Sequence, residues 1–388
     1  MIHFVNVVWG EEFTRLFLDA ALPNSMSPGN LGAFVDDEDC IYRLYTTPTD
    51  ASVVRNADGF KLLTRLVSTE VIEFTGLDEG DRYEQLIRCH RDALLRAHAD
   101  DAAVIFLAPD ALLSDGSLGR LRELIADDIP VVAIPGPRVT IETFLSDFLR
   151  DYMDAESQSA SIASRELVGL AHEHLHDSAK SLFWDAEKFA VWPANIYWRM
   201  PESGEFLIRA FHMHPLMIRR IPDDFVIDGV IDGAFIASVC PDPDDIYVVT
   251  DSDEIALVEM TSSDGITVIE PLGPASEIAV AEWAVHATNT HHRSFVNRPI
   301  YFHSSELSPE WDRVAEESHS VISRVHSAYP RALVSVGISR VHAGRFDDAL
   351  EYCTKAIELV DDPALHASAA AVIDVIGKLK SVVTIEPV

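Results

Sequence analysis

The sequence predicts an α/β fold: a mostly parallel central sheet flanked by helices, followed by an all-helical C-terminal segment. Three observations predict it. Over the first 135 residues, short apolar runs alternate with stretches of helical periodicity. One of those runs, residues 102–107, carries no charge and has the length of a strand buried on both faces. From about residue 305 to residue 380 only helical periodicity is left. A boundary at 304 therefore separates an α/β domain, residues 1–304, from a helical region, residues 305–388.

The elements follow in order. Residues 4–8 read as a first buried strand. Residues 11–22 place Phe13, Leu16, Phe17, Ala20 and Ala21 at helical spacing, with Glu11 and Glu12 in the first turn, where the helix dipole favours acid. Pro23, Pro28 and Gly29 end that helix. Residues 41–47 form a second strand closed by Pro48, residues 59–67 a helix, and residues 71–74 a short third strand. A strongly periodic helix over 82–99 leads into the strand at 104–107, and a helix over 118–126 leads into one at 129–134. Beyond residue 135 the pattern changes: helices are expected over 140–154 and 163–176, and strands at 196–200, 205–212, 245–250, 255–260 and 266–269.

Bulk properties exclude several classes. The 388-residue chain is 48% hydrophobic and carries a formal charge of −33, from 30 basic and 63 acidic residues. Such a surface repels nucleic acid and anionic lipid, and an anionic substrate would need a local cation to offset the field. Solubility or adaptation to salt explains the acidity equally well. Cys40, Cys89, Cys240 and Cys353 form no CxxC pair, which points to a reducing compartment and away from a thiolate metal cluster. The amino terminus has no basic stretch ahead of an apolar one, and no run of eighteen apolar residues exists, so a cytoplasmic protein without a transmembrane segment is expected. The absence of GxGxxG, GxxxxGK[ST] and GxSxG argues against dinucleotide oxidoreductases, P-loop ATPases and α/β-hydrolases.

Five segments concentrate possible chemistry. Asp110 ends the most apolar run and Asp115 follows five residues later, where ligands of open α/β sheets bind; the alternative is an Asp capping the helix that begins near Ser117. His212 and His214 lie two apart on an expected strand, so both would face one side and hold a metal or a diphosphate, or else be two ordinary half-buried histidines. Asp228 and Asp232 each precede a glycine, in simple turns or beside a ligand that one of them serves as base. Asp251 and Asp253 form an Asp-x-Asp after an apolar run, suited to a metal, a base, a helix cap or a hairpin turn. His172-Glu173-His174-Leu175-His176 matches HExxH, the helical zinc-hydrolase pattern, though no third ligand follows at a familiar distance.

The segment Leu107-Ala108-Pro109-Asp110, with Leu112, Leu113, Asp115, Gly116 and Leu118 after it, resembles the DxD segment of bacterial GT-A-type nucleotide-sugar glycosyltransferases. The resemblance implies a GT-A-like (Rossmann-like) fold and transfer of a sugar from a nucleotide-diphosphate donor to an acceptor hydroxyl on a glycan or protein. It implies a divalent metal, Mn or Mg, at Asp110, with His212 and His214 completing its grip, because Ala108 stands where the first acid of DxD is expected. It also places Trp9, Gly10, Thr46, Thr47, Asp115 and Arg138 on the donor, and one of Asp228, Asp232, Asp251 and Asp253 on the acceptor. Residues 336–363, with small Gly337, Ala349 and Ala356, resemble one tetratricopeptide repeat; a lone repeat docks on its own domain, pairs in a homo-oligomer or grips a protein partner. A non-catalytic scaffold on a degenerate transferase domain is the rival from another class, and an HExxH zinc hydrolase the third.

Overall fold

The structure, a computed structural model, describes residues 1–35, 39–76, 82–201, 203, 205–225, 227, 229–232, 234–264 and 273–383. The chain forms two compact units, each drawn from three segments: Met1–Phe183, Ala194–Val268 and Asn289–Val314 in the first, and Trp184–Pro193, Ile269–Thr288 and Ala315–Val388 in the second. The helix-only stretch expected from residue 305 is present as helices Pro309–His342, Phe346–Leu359 and Pro363–Val383, but the second unit also takes in two earlier segments.

In the first unit, strands β1 (Ile2–Val7), β2 (Cys40–Thr46), β3 (Ser68–Glu73), β4 (Ala103–Leu107), β5 (Ala111–Leu113), β6 (Val131–Ile134) and β7 (Arg138–Thr140) are joined by two short strands, β8 (Met153–Asp154) and β9 (Ser159–Ala160). Then come β10 (Asn195–Arg199), β11 (Phe206–Ala210), β12 (His214–Ile218), β13 (Ile246–Val248), β14 (Leu257–Thr261) and β15 (Ile300–Phe302). The main sheet has seven strands in the order β13-β6-β12-β4-β1-β2-β3. All pair in parallel except β12, which runs antiparallel between β4 and β6. Smaller sheets are β10-β11-β15, β5-β14-β7 and β8-β9.

The central strands are apolar runs because both faces are covered. Every residue of β1 and β6 is buried, as are Ala103 to Phe106 of β4. The helices that cover them begin where local chemistry stops a strand. Gly10 takes φ +85°, a backbone open to glycine, and opens helix Glu11–Leu16. Thr47 caps helix Pro48–Asn56: its side chain accepts the Asp50 amide, and Pro48 sits in the first turn. Pro215 is tolerated inside the sheet because the β12–β6 register shifts between Pro215 and Met217, and β12 pairs with β4 only through Met217 and Ile218.

The strand expected over 205–212 is present as β11, which ends at Ala210; a bend at Phe211 and His212 then precedes β12, which was not expected. The strand expected at 266–269 lies outside the described residues. In the second unit, a Cβ on Gly337 would come within 2.9 Å of Cys353 Sγ, and Ala349 and Ala356 are fully buried, so these small residues do permit close helix approach. No helix is long and apolar enough to cross a membrane among the described residues.

Candidate functional site

The parallel strands point one way, so the carboxyl ends of β1, β2, β4, β6 and β13 share one edge of the sheet. Antiparallel β12 begins on that edge: His214 pairs with Ile134, the last residue of β6. The chain winds outward from β1 through β2 to β3, then returns to β4 on the other side of β1. That reversal opens a crevice beyond the carboxyl ends of β1 and β4, the place where open α/β sheets bind ligands.

A cavity of about 160 Å³ lies beyond the end of β4, with Asp110, His214, Glu259, Asn24, Phe106 and Ala108 in its wall. Asn24 fixes one side. Its amide donates to Leu113 O at 2.9 Å, and its carbonyl accepts Leu113 N–H at 2.8 Å. Asp110 is held through its main chain, since its carbonyl accepts Met260 N–H at 2.7 Å and so joins it to β14. Burial, and then the neighbouring charge of Glu259, push the Asp110 carboxyl up to about 7, against the pull of its own amide and of Arg138. His214 Nε2 sits 3.4 Å from the carbonyl oxygen of Phe106, which favours a proton on Nε2 and leaves Nδ1 as acceptor. Burial, and then the neighbouring His214, push the His90 imidazole down to about 3, so His90 stays neutral.

Glu259, which the sequence analysis did not single out, comes from β14, opposite Arg138 of β7. Arg138 Nε donates to Glu259 Oε2 at 3.3 Å, so the arginine expected on the donor is half-exposed and already paired. Gly136 makes that approach possible: a Cβ there would lie 2.5 Å from Leu257 Cδ2 and 2.9 Å from Glu259 Cγ. A lone acid in the apolar run Ala256–Met260 was the available signal for Glu259.

The other predicted residues are distributed as follows. His212 falls in the bend before β12, so the two-residue period fails and it does not join His214 in the cavity wall. Its ring stacks on His292 with centroids 4.2 Å apart. Burial and then the charge of His212 hold His292 down at about 4, while His292 Nε2 donates to Asp232 O at 3.0 Å. The structure therefore does not assemble Asp110, His212 and His214 as one metal trio. Asp115 is committed to structure. It accepts Ser27 Oγ–H at 2.8 Å, Gly29 N–H at 2.6 Å and Ser161 Oγ–H at 2.9 Å, tying three segments together. Asp115 does not cap helix Ser117–Ala126; Asn30 Oδ1 accepts the Leu118 N–H at 2.9 Å there, and Gly116, at φ +94°, precedes the helix.

Trp9 packs edge-on against Phe74 at 5.8 Å. Gly10 N–H and Thr47 Oγ1–H both donate to Asp50 Oδ2, at 3.0 and 2.7 Å, which links the ends of β1 and β2. Thr46 is fully buried, and its hydroxyl has no hydrogen-bond partner among the described residues. Asp228 lies outside the described residues. Asp253 meets Arg165 on both oxygens, at 3.0 and 2.7 Å, and this pairing holds its carboxyl below the usual range. Asp251 faces His303, with Oδ1 to Nε2 at 2.9 Å.

The HExxH reading is overturned. Helix Ser164–Glu173 stops at its glutamate, and His176 is the extended N-cap of the next helix, Asp177–Lys180. His172 and His176 are therefore not one turn apart on one helix face, as zinc would need.

No family model matches the sequence, and no curated protein matches it. Among solved structures, the chain is similar to the mannosyltransferase PcManGT from Pyrobaculum calidifontis in complex with GDP-Man and Mn2+. The match has a TM-score of 0.35 and 13% identity, over 95% of this chain and 79% of that one. It is also similar to S. aureus TarS, at a TM-score of 0.25 and 11% identity, over 47% of this chain and 39% of that one. The site is therefore read from its own residues.

Proposed function

We propose that the chain is a glycosyltransferase that binds a nucleotide-diphosphate sugar at the reversal point of the sheet and moves the sugar to an acceptor hydroxyl. One observation carries this: Asp110 and His214, delivered by strands of opposite direction and far apart in sequence, line one cavity at the carboxyl edge. Their chemistry suits the reaction. Asp110, Glu259 and His214 offer two carboxylates and an imidazole, an oxygen-rich set of the kind that Mn2+ or Mg2+ accepts. A carboxyl raised to about 7 by burial and a like charge would gain from a cation, although Asp110, Glu259 and His214 are not among the described residues that bring three ligand atoms within 4.8 Å of one another. Such an ion supplies charge neutralisation for a departing diphosphate.

The chain's own groups divide the remaining work. Asp110 would hold the donor side of the cavity as an ionised carboxylate once a cation is bound. The Nδ1 lone pair of His214 would serve a bound cation rather than the phosphate oxygens, which are themselves acceptors. Arg138 leaves Glu259 for phosphate oxygens, which its guanidinium matches in pairs. Asp253 is occupied by Arg165 and Asp251 by His303, so of the four acids proposed for the acceptor Asp228 and Asp232 are left to test, the first of them outside the described residues.

The test is a thermal-shift screen of nucleoside diphosphates and nucleotide sugars with and without Mn2+. At least one nucleotide sugar should raise the melting temperature, and Asp110→Asn and His214→Ala should abolish the rise. No stabilisation by any uridine, guanosine, adenosine, cytidine or thymidine diphosphate sugar would overturn the proposal.

A further inference from the structure

We propose that helix Pro363–Val383 is the contact surface of a homodimer, in which the same helix of a second copy lies antiparallel across it. The helix rests beside helix Phe346–Leu359 and buries Leu365, Ala369 and Ile376. An ordinary surface helix turns a polar face outward. Here Ala364, Ser368, Ala371, Val375 and Leu379 recur every three to four residues on the outward side, and all five are exposed, Val375 at 45% and Leu379 at 39%. From Pro363 to Gly377, Asp374 is the one Asp, Glu, Lys or Arg in the sequence, in a chain where such residues make up 24%. A helix apolar on both sides is one that another surface covers.

The order of residues along that face chooses the occupant. Its first half carries Ala364, Ser368 and Ala371, and its second half Val375 and Leu379. A copy laid antiparallel about Ala371 and Val372 sets Leu379 against Ala364 and Val375 against Ser368, and the two-fold contact repeats each pair. Each bulky side chain then meets a small one, the condition for close packing across facing positions. A parallel copy would set Leu379 on Leu379 and leave Ala364 facing Ala364 across a gap.

Charge runs the same way. Asp361 and Asp362 stand ahead of the helix, and Lys378 and Lys380 lie near its end. The antiparallel copy brings these lysines within about one turn of the other chain's aspartates and opposes the two helix dipoles. A parallel copy would stack like charge on like. Lys378 and Lys380 meet Asp374 and Asp347 within the chain, in exposed pairs that contribute little and can exchange. A face complementary to its own reverse in both size and charge fits a second copy of this chain. One helix per copy makes a small interface, so dissociation in the micromolar range is expected.

The test uses the full chain without ligand. Sedimentation equilibrium at high protein concentration should give twice the 42.9 kDa of one chain. Val375→Asp should raise the dissociation constant by at least about 10-fold, with circular dichroism and melting temperature unchanged, as for an exposed position. Cross-linking reads the orientation, because native Cys40, Cys89, Cys240 and Cys353 are all buried. A mixture of Ala364→Cys and Leu379→Cys chains should join to each other across a short bismaleimide, and Ala371→Cys chains to themselves. Neither Ala364→Cys nor Leu379→Cys alone should join, since like positions stand about 22 Å apart along an antiparallel pair. If Val375→Asp fails to fold, the cross-links decide alone. Three results would overturn the pairing: a monomer at every concentration, as expected if a different protein covers the face; a dimer that Val375→Asp leaves intact; or self-joining of Ala364→Cys and of Leu379→Cys, the mark of a parallel pair. Nucleotide binding does not enter these readouts, so the dimer and the transferase reading can fail independently.

Discussion

Asp110 and Asp115 are two carboxylates five residues apart that fold into opposite circumstances. Asp115 is surrounded by donors from three segments, two on Oδ1 and one on Oδ2. Asp110 is tied to β14 through its backbone carbonyl, faces a second carboxylate, Glu259, and borders a cavity. A satisfied carboxylate stabilises a fold, whereas a carboxyl pushed away from its ordinary charge is available for chemistry.

Substitutions can break that contrast, beginning with the largest effect. Asp110→Asn should lower sugar transfer by at least about 100-fold while the denaturant midpoint stays the same or rises, because a buried like-charge pair is relieved. A loss of folding instead would place Asp110 with Asp115. Asp115→Ala should do the reverse. It strands three donors and should cost about 3 kcal/mol in urea unfolding, with turnover per folded molecule retained. Gly29→Ala probes the same junction, since its Cβ would lie 2.5 Å from Gly116 N and 2.7 Å from Asp115 Oδ1; a cost of about 2 kcal/mol is expected from the clash.

The pH dependence of stability sharpens the comparison further. The folded Asp110 carboxyl titrates at about 7, above its ordinary 3.8. Its contribution is therefore fully present below pH 3.8 and is lost as pH rises through 7, and Asp110→Asn should flatten that part of the stability curve. Glu205 has the opposite sign. Burial pulls its carboxyl up, but the hydroxyls and amides of Ser304, Ser203 and Ser305 outweigh it and hold it at about 2, below 4.5. Its stabilisation is present above pH 4.5 and lost as pH falls through 2, so Glu205→Gln should remove an acid-side slope. The smallest effect is expected at His212→Ala, which should leave nucleotide-induced stabilisation intact where His214→Ala removes it.

Much of the fold was legible because the strands are buried on both faces and announce themselves as unbroken apolar runs. The end of β4 was legible for the same reason, and with it Asp110. His214 was legible as a polar residue beside a strand, but its pairing with His212 was not. A bend at residues 211–212 resets the period, and nothing in Phe211-His212-Met213 announces a bend. Glu259 and His303 escaped because each is brought in by pairing distant in sequence, β14 with β7 and β15 with β11, which local pattern does not encode. HExxH misled for a related reason: the spacing was right, but the helix stopped at Glu173.

The wedging of β12 between β4 and β6 has a consequence for how the molecule is made. Both strands are complete by residue 134, and residues 214–218 must be synthesised before the place between them can be filled. Until then, each flank exposes an unpaired edge, the kind of surface that recruits stray strands. The nascent chain therefore holds half a pocket without its lid, and the late antiparallel strand closes the sheet and supplies the missing imidazole in one event.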